Sequence, residues 1–275
     1  MTKRMNRTSR AYTVLVFIFL YLPIAVLILF SFNQSKSRNV FTGFTLDWYK
    51  QLFHNDMIIK ALGVTLLVAA ISSVVATVLG TAAAVGIRSM NKLSRSLVMN
   101  ATYAPVVNPE IVTGVSMLLL FVGFRSFAEY FGIGFEMGIF TLILAHITFN
   151  VPYVILSVSP KLRQMDKNLY EAALDLGCSP LQAFFKVVIP EIMPGITTGF
   201  LMALTYSIDD FVISYFTSGT AQTLPIAVYS MTRRKVSPEI NALSAILFVT
   251  VLSILLIMNY RDIRGERQLS KERRT

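Results

Sequence analysis

Apolar residues gather in six long stretches separated by short polar segments. They run from about Ala11 to Phe32, Ile58 to Ile87, Leu97 to Phe124, Met137 to Val158, Glu191 to Phe216 and Ile240 to Tyr260. A bilayer core about 30 Å thick needs about 20 mostly apolar residues in helix to cross it. Each stretch meets that length, and the longer ones allow for tilt. The pattern predicts an all-α, polytopic membrane protein with six transmembrane helices. The longest intervening segments are about 25–35 residues, too short for an independent soluble core, so residues 1–275 read as a single membrane domain. Basic residues precede the first stretch. Its apolar run exceeds the roughly 7–15 residues of a signal core and no A-x-A-like site follows it, so it is expected to be retained.

Composition agrees with the pattern. Of the residues 54% are hydrophobic and 15% charged, and the mean hydropathy is +0.61. This excludes a disordered chain, which needs low hydrophobicity. A single Cys excludes a disulfide framework and a Cys-based zinc site. The net charge of +10 would point to nucleic acid in a soluble protein, but its placement points to a membrane. Six spans put both termini on one side. Lys3, Arg4, Arg7 and Arg10, then Arg88, Lys92 and Arg95, then Lys161, Arg163, Lys167 and Lys186, then Arg261, Arg264, Arg267, Lys271, Arg273 and Arg274 all fall on that side. Together they are 17 of the 25 basic residues. The positive-inside rule makes that face, and both termini, cytoplasmic. Arg233, Arg234 and Lys235 fall on the outer side instead. They answer anionic partners there, or their loop folds against the protein, or it is simply solvated. Trp48 and Tyr49, after the first span, read as interfacial anchors.

The cytoplasmic segment over about 159–190 carries the most pattern. Asp166 is placed to cap a helix of about three turns, and Gly177 suits the left-handed position after its end. Leu169, Ala172, Ala173 and Leu176 recur at helical spacing and make one apolar face. Ser179 and Pro180 then start a second helix that leads to Pro190. A short helix with small residues on its surface either receives a soluble partner or lies on the membrane. Glu171, Ala172 and Ala173, then Gly177, then Val187, Ile189 and Pro190, resemble the EAA-x3-G-x9-I-x-L-P signature of permease subunits of binding-protein-dependent ABC importers. The spacing matches throughout; Val187 stands for Ile and Ile189 for Leu. The resemblance implies the type I ABC importer permease fold with this segment as a coupling helix. Glu171, Ala172, Ala173 and Gly177 would then contact a cytosolic ATPase, expected in two copies. It also implies a second homologous permease subunit, an extracytoplasmic substrate-binding protein and the inner membrane of a prokaryote. The chain has no G-x-x-x-x-G-K-[ST] phosphate loop. ATP hydrolysis is therefore expected on the partner, with no cofactor bound by this chain and no nucleic acid among its partners.

Ionisable residues inside a membrane cost about 2.5–3.5 kcal/mol each and face a cavity or a partner. Glu110 in the third span, and Asp209 and Asp210 in the fifth, stand out. Neighbouring residues on a helix point about 100° apart, so Asp209 and Asp210 share a direction only if the helix unwinds. Tyr206 lies one turn earlier, and carboxylates beside an aromatic ring suit an organic cation. Glu110 follows Pro105 and Pro109, which loosen the helix, so it lines a pathway or pairs internally. His146, Asn150 and Pro152 are expected to serve interhelical contacts, and Gly195 with Gly199 a close helix approach. The stretch Ser207–Val212, then 224–231, then 236–242, is similar to spermidine/putrescine permease subunits, the second membrane chain of polyamine importers. That resemblance implies a pathway for linear polycations, to which Asp209, Asp210, Tyr206 and Glu110 would contribute.

Other classes fit less well. A permease for another small solute would share the coupling signature. A secondary transporter would use the same carboxylates for coupling ions and need no ATPase. An intramembrane aspartyl protease needs facing carboxylates from different helices, and no metal or nucleophile constellation is present in the sequence. The chain is not expected to be an enzyme itself.

Overall fold

The computed structural model describes residues 7–35, 40–166, 168–234, 238–250, 252, 253 and 256. Among them the structure is helical, with no strand beyond an isolated bridge between Asn33 and Phe44. Among the described residues five helical segments are long and apolar enough to cross a membrane: Thr8–Ser31, Asp56–Ser89, Glu110–Tyr130, Ile139–Gln164 and Pro180–Asp209. The expected sixth span is described only in part, as an apolar helix over Pro238–Thr250. The basic tail from Arg261, and Lys3, Arg4, Lys167 and Lys235, lie outside the described residues.

The chain divides into two compact units, Met1–Ile59 with Val228–Thr275, and Lys60–Ala227. In the first, α1 (Arg7–Ser31) is followed by a loop folded back on its end and by α2 (Asp47–Phe53). Trp48 and Tyr49 are not free membrane anchors. Trp48 is buried and donates from Nε1 to Asn33 O at 2.7 Å. The Tyr49 hydroxyl lies 2.7 Å from Ser31 Oγ, and its ring stacks on Phe32 at 5.2 Å. Their polar atoms are spent on closing this loop rather than on lipid headgroups.

The second unit is built on α3 (Asp56–Ser89), α4 (Lys92–Val107), α5 (Glu110–Tyr130), α6 (Ile139–Gln164) and α9 (Ile189–Asp209). The α6–α9 pair is its axis. Small residues bring the backbones together, as the Gly195 and Gly199 spacing predicts. A Cβ on Gly199 would lie 3.2 Å from Val154 Cα, and Ser157 Oγ donates to Gly195 O at 3.0 Å. From α3, Gly80 closes on the same Val154, where an added Cβ would lie 2.6 Å from its Cβ. Around this contact Ile87, Met99, Ile155, Val158 and Ile192 form a buried apolar cluster.

Four features differ from the expected pattern. The third stretch is two helices, and the spanning one is α5. Asn108 is extended (ψ 143°) because the ring of Pro109 disfavours the helical region for the residue before it. The segment after Asp166 forms α7 (Asn168–Asp175), two turns rather than three. The helix that starts at Pro180 does not end at Pro190. It passes from α8 (Pro180–Ala183) through a π turn (Phe184–Val188) into α9. Pro190 has no N–H for the carbonyl of Lys186, and the turn widens so that Ile189 N–H donates to Phe184 O. The fifth stretch then stops at Asp209 and resumes as α10 (Val212–Thr217), followed by α11 (Leu224–Arg234).

Candidate functional site

The predicted residues fall into two groups. In the segment 159–190, Asp166 Oδ1 accepts from the Asn168 amide at 3.0 Å, and α7 ends at Gly177 with φ +85°. Gly177 N–H donates to Leu174 O and Cys178 N–H to Ala173 O, the paired bonds of a left-handed helix stop. Ser179 and Gln182 cap α8 reciprocally, with bonds of 3.0 and 3.3 Å. Ala173 is buried, and Tyr170 packs on the apolar cluster, which fixes one side of α7 to the unit. Glu171 and Ala172 are exposed. So are Leu169 and Leu176, the latter 86% exposed. The apolar stripe expected from spacing therefore points outward, except at Ala173.

The second group lies where α5, α6, α9 and α10 meet. Gly114 brings the first turns of α5 against α10, since a Cβ there would lie 2.8 Å from Phe216. Glu110 opens α5 one turn before Gly114, Asp209 closes α9 just before α10, and both are exposed. Tyr153 and Tyr206, both half-buried, have ring centroids 4.6 Å apart. Phe149 lies behind them at 5.2 and 6.2 Å. Of the residues chosen from sequence, Tyr206 and Asp209 close α9 one turn apart, and Glu110 opens α5, which packs on α10 at Gly114. Tyr153 was missed: it is an ordinary aromatic in an apolar helix, and only the packing of α6 on α9 brings it to Tyr206.

Asp210 is placed differently. It is buried, with Oδ1 accepting from Ile213 N–H at 3.2 Å and Oδ2 from Ser214 N–H at 2.7 Å. His146 Nε2 lies 3.1 Å from Ser214 Oγ and 3.5 Å from Asp210 Oδ2. On the same face of α6, Asn150 Nδ2 donates to Ser207 Oγ at 2.7 Å, and Ser207 Oγ is 3.0 Å from Ser72 Oγ of α3. Thr141 Oγ1 donates to Thr217 O at 2.8 Å. His146 and Asn150 make the interhelical bonds expected of them. Among the described residues no group of His, Cys, Asp and Glu is arranged to hold a metal ion.

A family described as "Binding-protein-dependent transport system inner membrane component" matches residues 76–263. The chain belongs to this family. It is a membrane component of a transport system, and both groups above lie inside the matched region. Among relatives, it is 41% identical to the putrescine transport system permease protein PotI of Escherichia coli K12, over 85% of this chain and 83% of that protein. It is 32% identical to the spermidine/putrescine transport system permease protein PotC of Haemophilus influenzae, over 78% of this chain and 80% of that one. Among solved structures, a bacterial ABC transporter that imports the acidic polysaccharide alginate superposes with TM-score 0.70 at 18% identity, over 92% of both chains. That likeness establishes the fold of an ABC importer permease. A second alginate transporter structure, in complex with a pentasaccharide-bound periplasmic protein, superposes with TM-score 0.69 at 18% identity over 91% of this chain.

Proposed function

We propose that the chain is the permease subunit of an ATP-driven importer for linear polyamines such as putrescine and spermidine. The observation that carries this reading is the exposed Asp209, one helical turn from the paired rings of Tyr206 and Tyr153, in a chain 41% identical to a putrescine permease. An alkylammonium group gains charge pairing from a carboxylate and cation–π attraction from a tyrosine face. Two exposed carboxylates, Asp209 and Glu110, suit a cargo with cationic ends. Inward movement of each charge is favoured by about 2.3 kcal/mol per 100 mV when the cytosol is negative.

The segment 159–190 couples the pathway to ATP hydrolysis on two cytosolic ATPase subunits. Glu171 and Ala172, with the exposed Leu169 and Leu176, form the docking face; Ala173 and Gly177 shape the helix that carries it. The chain itself binds no cofactor and catalyses no reaction. A second homologous permease completes the pathway, an extracytoplasmic binding protein delivers the cargo, and both termini are cytoplasmic. Alternating access follows from differential affinity of these partners for the inward and outward states. A permease for a different small solute is the second reading, since the coupling signature is common to such importers.

Radiolabelled putrescine uptake by the assembled importer in energised vesicles tests the reading. Asp209→Asn and Glu110→Gln are expected to raise KM about tenfold or more, the loss of a charge-assisted contact. Glu171→Lys is expected to abolish ATP-dependent uptake while putrescine is still delivered by the binding protein. Normal uptake in all three variants would remove the basis for this assignment.

A further inference from the structure

The break between α9 and α10 has no usual cause. Residues 203–217 contain neither proline nor glycine, the residues at which helices ordinarily kink. An uninterrupted helix would turn the side chains of residues 209 and 210 about 100° apart while leaving both on its surface. Instead the backbone leaves the helix at Asp210 (ψ 120°), Asp210 faces inward and Asp209 stays exposed.

We propose that Asp210 is a positioning residue that keeps this break open and thereby keeps Asp209 exposed at the end of α9. The inference rests on the reading of Asp209 as a contact for the cationic cargo. The Asp210 carboxylate takes the amides of Ile213 and Ser214, which opens a new helix after it instead of continuing the old one. Helix α6 splints both sides of the break. Asn150 holds Ser207, three residues before Asp210; His146 holds Ser214 and Thr141 holds the carbonyl of Thr217, beyond it. All of these side chains are buried, where a polar group without its partner is costly, so the arrangement is held as a set. His146 also faces Asp210 Oδ2 at 3.5 Å, which ties the carboxylate itself to the splint. Asp209 makes none of these contacts. Its place is dictated by its neighbour.

The test uses the assembled importer in vesicles, with Cys178→Ser and Asp209→Cys, and measures the rate at which a cationic methanethiosulfonate labels the new thiol. Asp210→Leu is expected to slow labelling about tenfold as the helix closes through the break, whereas Asp210→Asn, which keeps an acceptor oxygen, stays within about twofold. His146→Ala, which loosens the splint and leaves the carboxylate, slows labelling about threefold. Putrescine uptake gives the second arm. Asp210→Leu raises KM in protein with Asp209, and adds nothing further in protein already carrying Asp209→Asn, because the two act through one contact. Unchanged labelling in Asp210→Leu, or KM effects that simply add, overturns the proposal. Should Asp210→Leu fail to assemble, unchanged labelling in His146→Ala overturns it alone. If Asp209→Asn leaves uptake normal while labelling still responds to Asp210→Leu, the cargo contact at Asp209 fails and the splint stands.

Discussion

Near its start the stretch from Pro180 to Thr217 contains Pro190 and Pro194, and the helix runs through both. Near its end, before Gly219, it contains no helix breaker, and there the helix stops. The difference shows what a break requires. A proline removes one donor and crowds one carbonyl, and a single widened turn absorbs both defects. Asp210 does more: it offers the following amides an acceptor that competes with the helical carbonyls, and α6 supplies bonds to both sides of the gap. Deletion of a donor is tolerated, whereas a rival acceptor with tertiary support redirects the chain.

The largest expected effect comes from removing that rival acceptor. Asp210→Ala removes the acceptor of two buried amides, and the helix that closes to pair them again pulls buried bonds to α6 apart, at about 1–3 kcal/mol for each bond lost. The apparent melting temperature of the purified assembly in detergent should fall by several degrees, while the exposed Asp209→Ala leaves it almost unchanged; equal melting of the two variants would falsify the contrast. Next is Gly199→Val, whose Cβ would press on the Val154 backbone at 3.2 Å. Overpacking of this kind costs about 1–3 kcal/mol and should lower the same melting temperature, with Gly199→Ala milder. Ser179→Ala removes the cap at the tolerant end, for about 1 kcal/mol. Faster amide exchange confined to Gln182 and its neighbours is the expected signature, with the outer end of α9 unaffected. The smallest change in stability, under about 1 kcal/mol, is expected for Pro190→Ala, because the widened turn already relieves most of the roughly 3 kcal/mol that a proline costs inside a helix. Its geometric effect is larger. Closing the π turn drops one residue from the helical phase and rotates α8 by about 100° about α9. A changed distance from a spin label on Cys178 to one introduced in α6 would register it, and an unchanged distance would show that the wide turn has another cause.

Much of this organisation was legible in the sequence because membrane spans are long, apolar and punctuated by charge. The segment from Asp166 to Pro180 was equally readable, since Gly177 and Ser179 are local signals acting on local backbone. What escaped depended on residues far apart in the chain. The conflict between neighbouring Asp209 and Asp210 was visible, but its resolution needs His146 and Asn150, which arrive from α6. Tyr153 had no signal of its own. The continuity through Pro190 was missed because proline reads as a stop unless the widened turn before it is known. Trp48 and Tyr49 read as anchors because nothing in their own sequence reveals that Asn33 O and Ser31 Oγ lie within reach.

The pinch at Val154 has a mechanical consequence. Gly80 and Gly199 approach this residue from two other helices, and in each case main chain stands where a side chain would ordinarily intervene. A glycine has no side chain that could change rotamer and give way, so its main chain bears on Val154 directly, and a close-packed contact resists compression. At that depth α6 is free to roll or slide but not to be shoved aside, so Val154 serves as a fulcrum. A displacement applied to one arm of α6 must then reappear, reversed in sense, at the other.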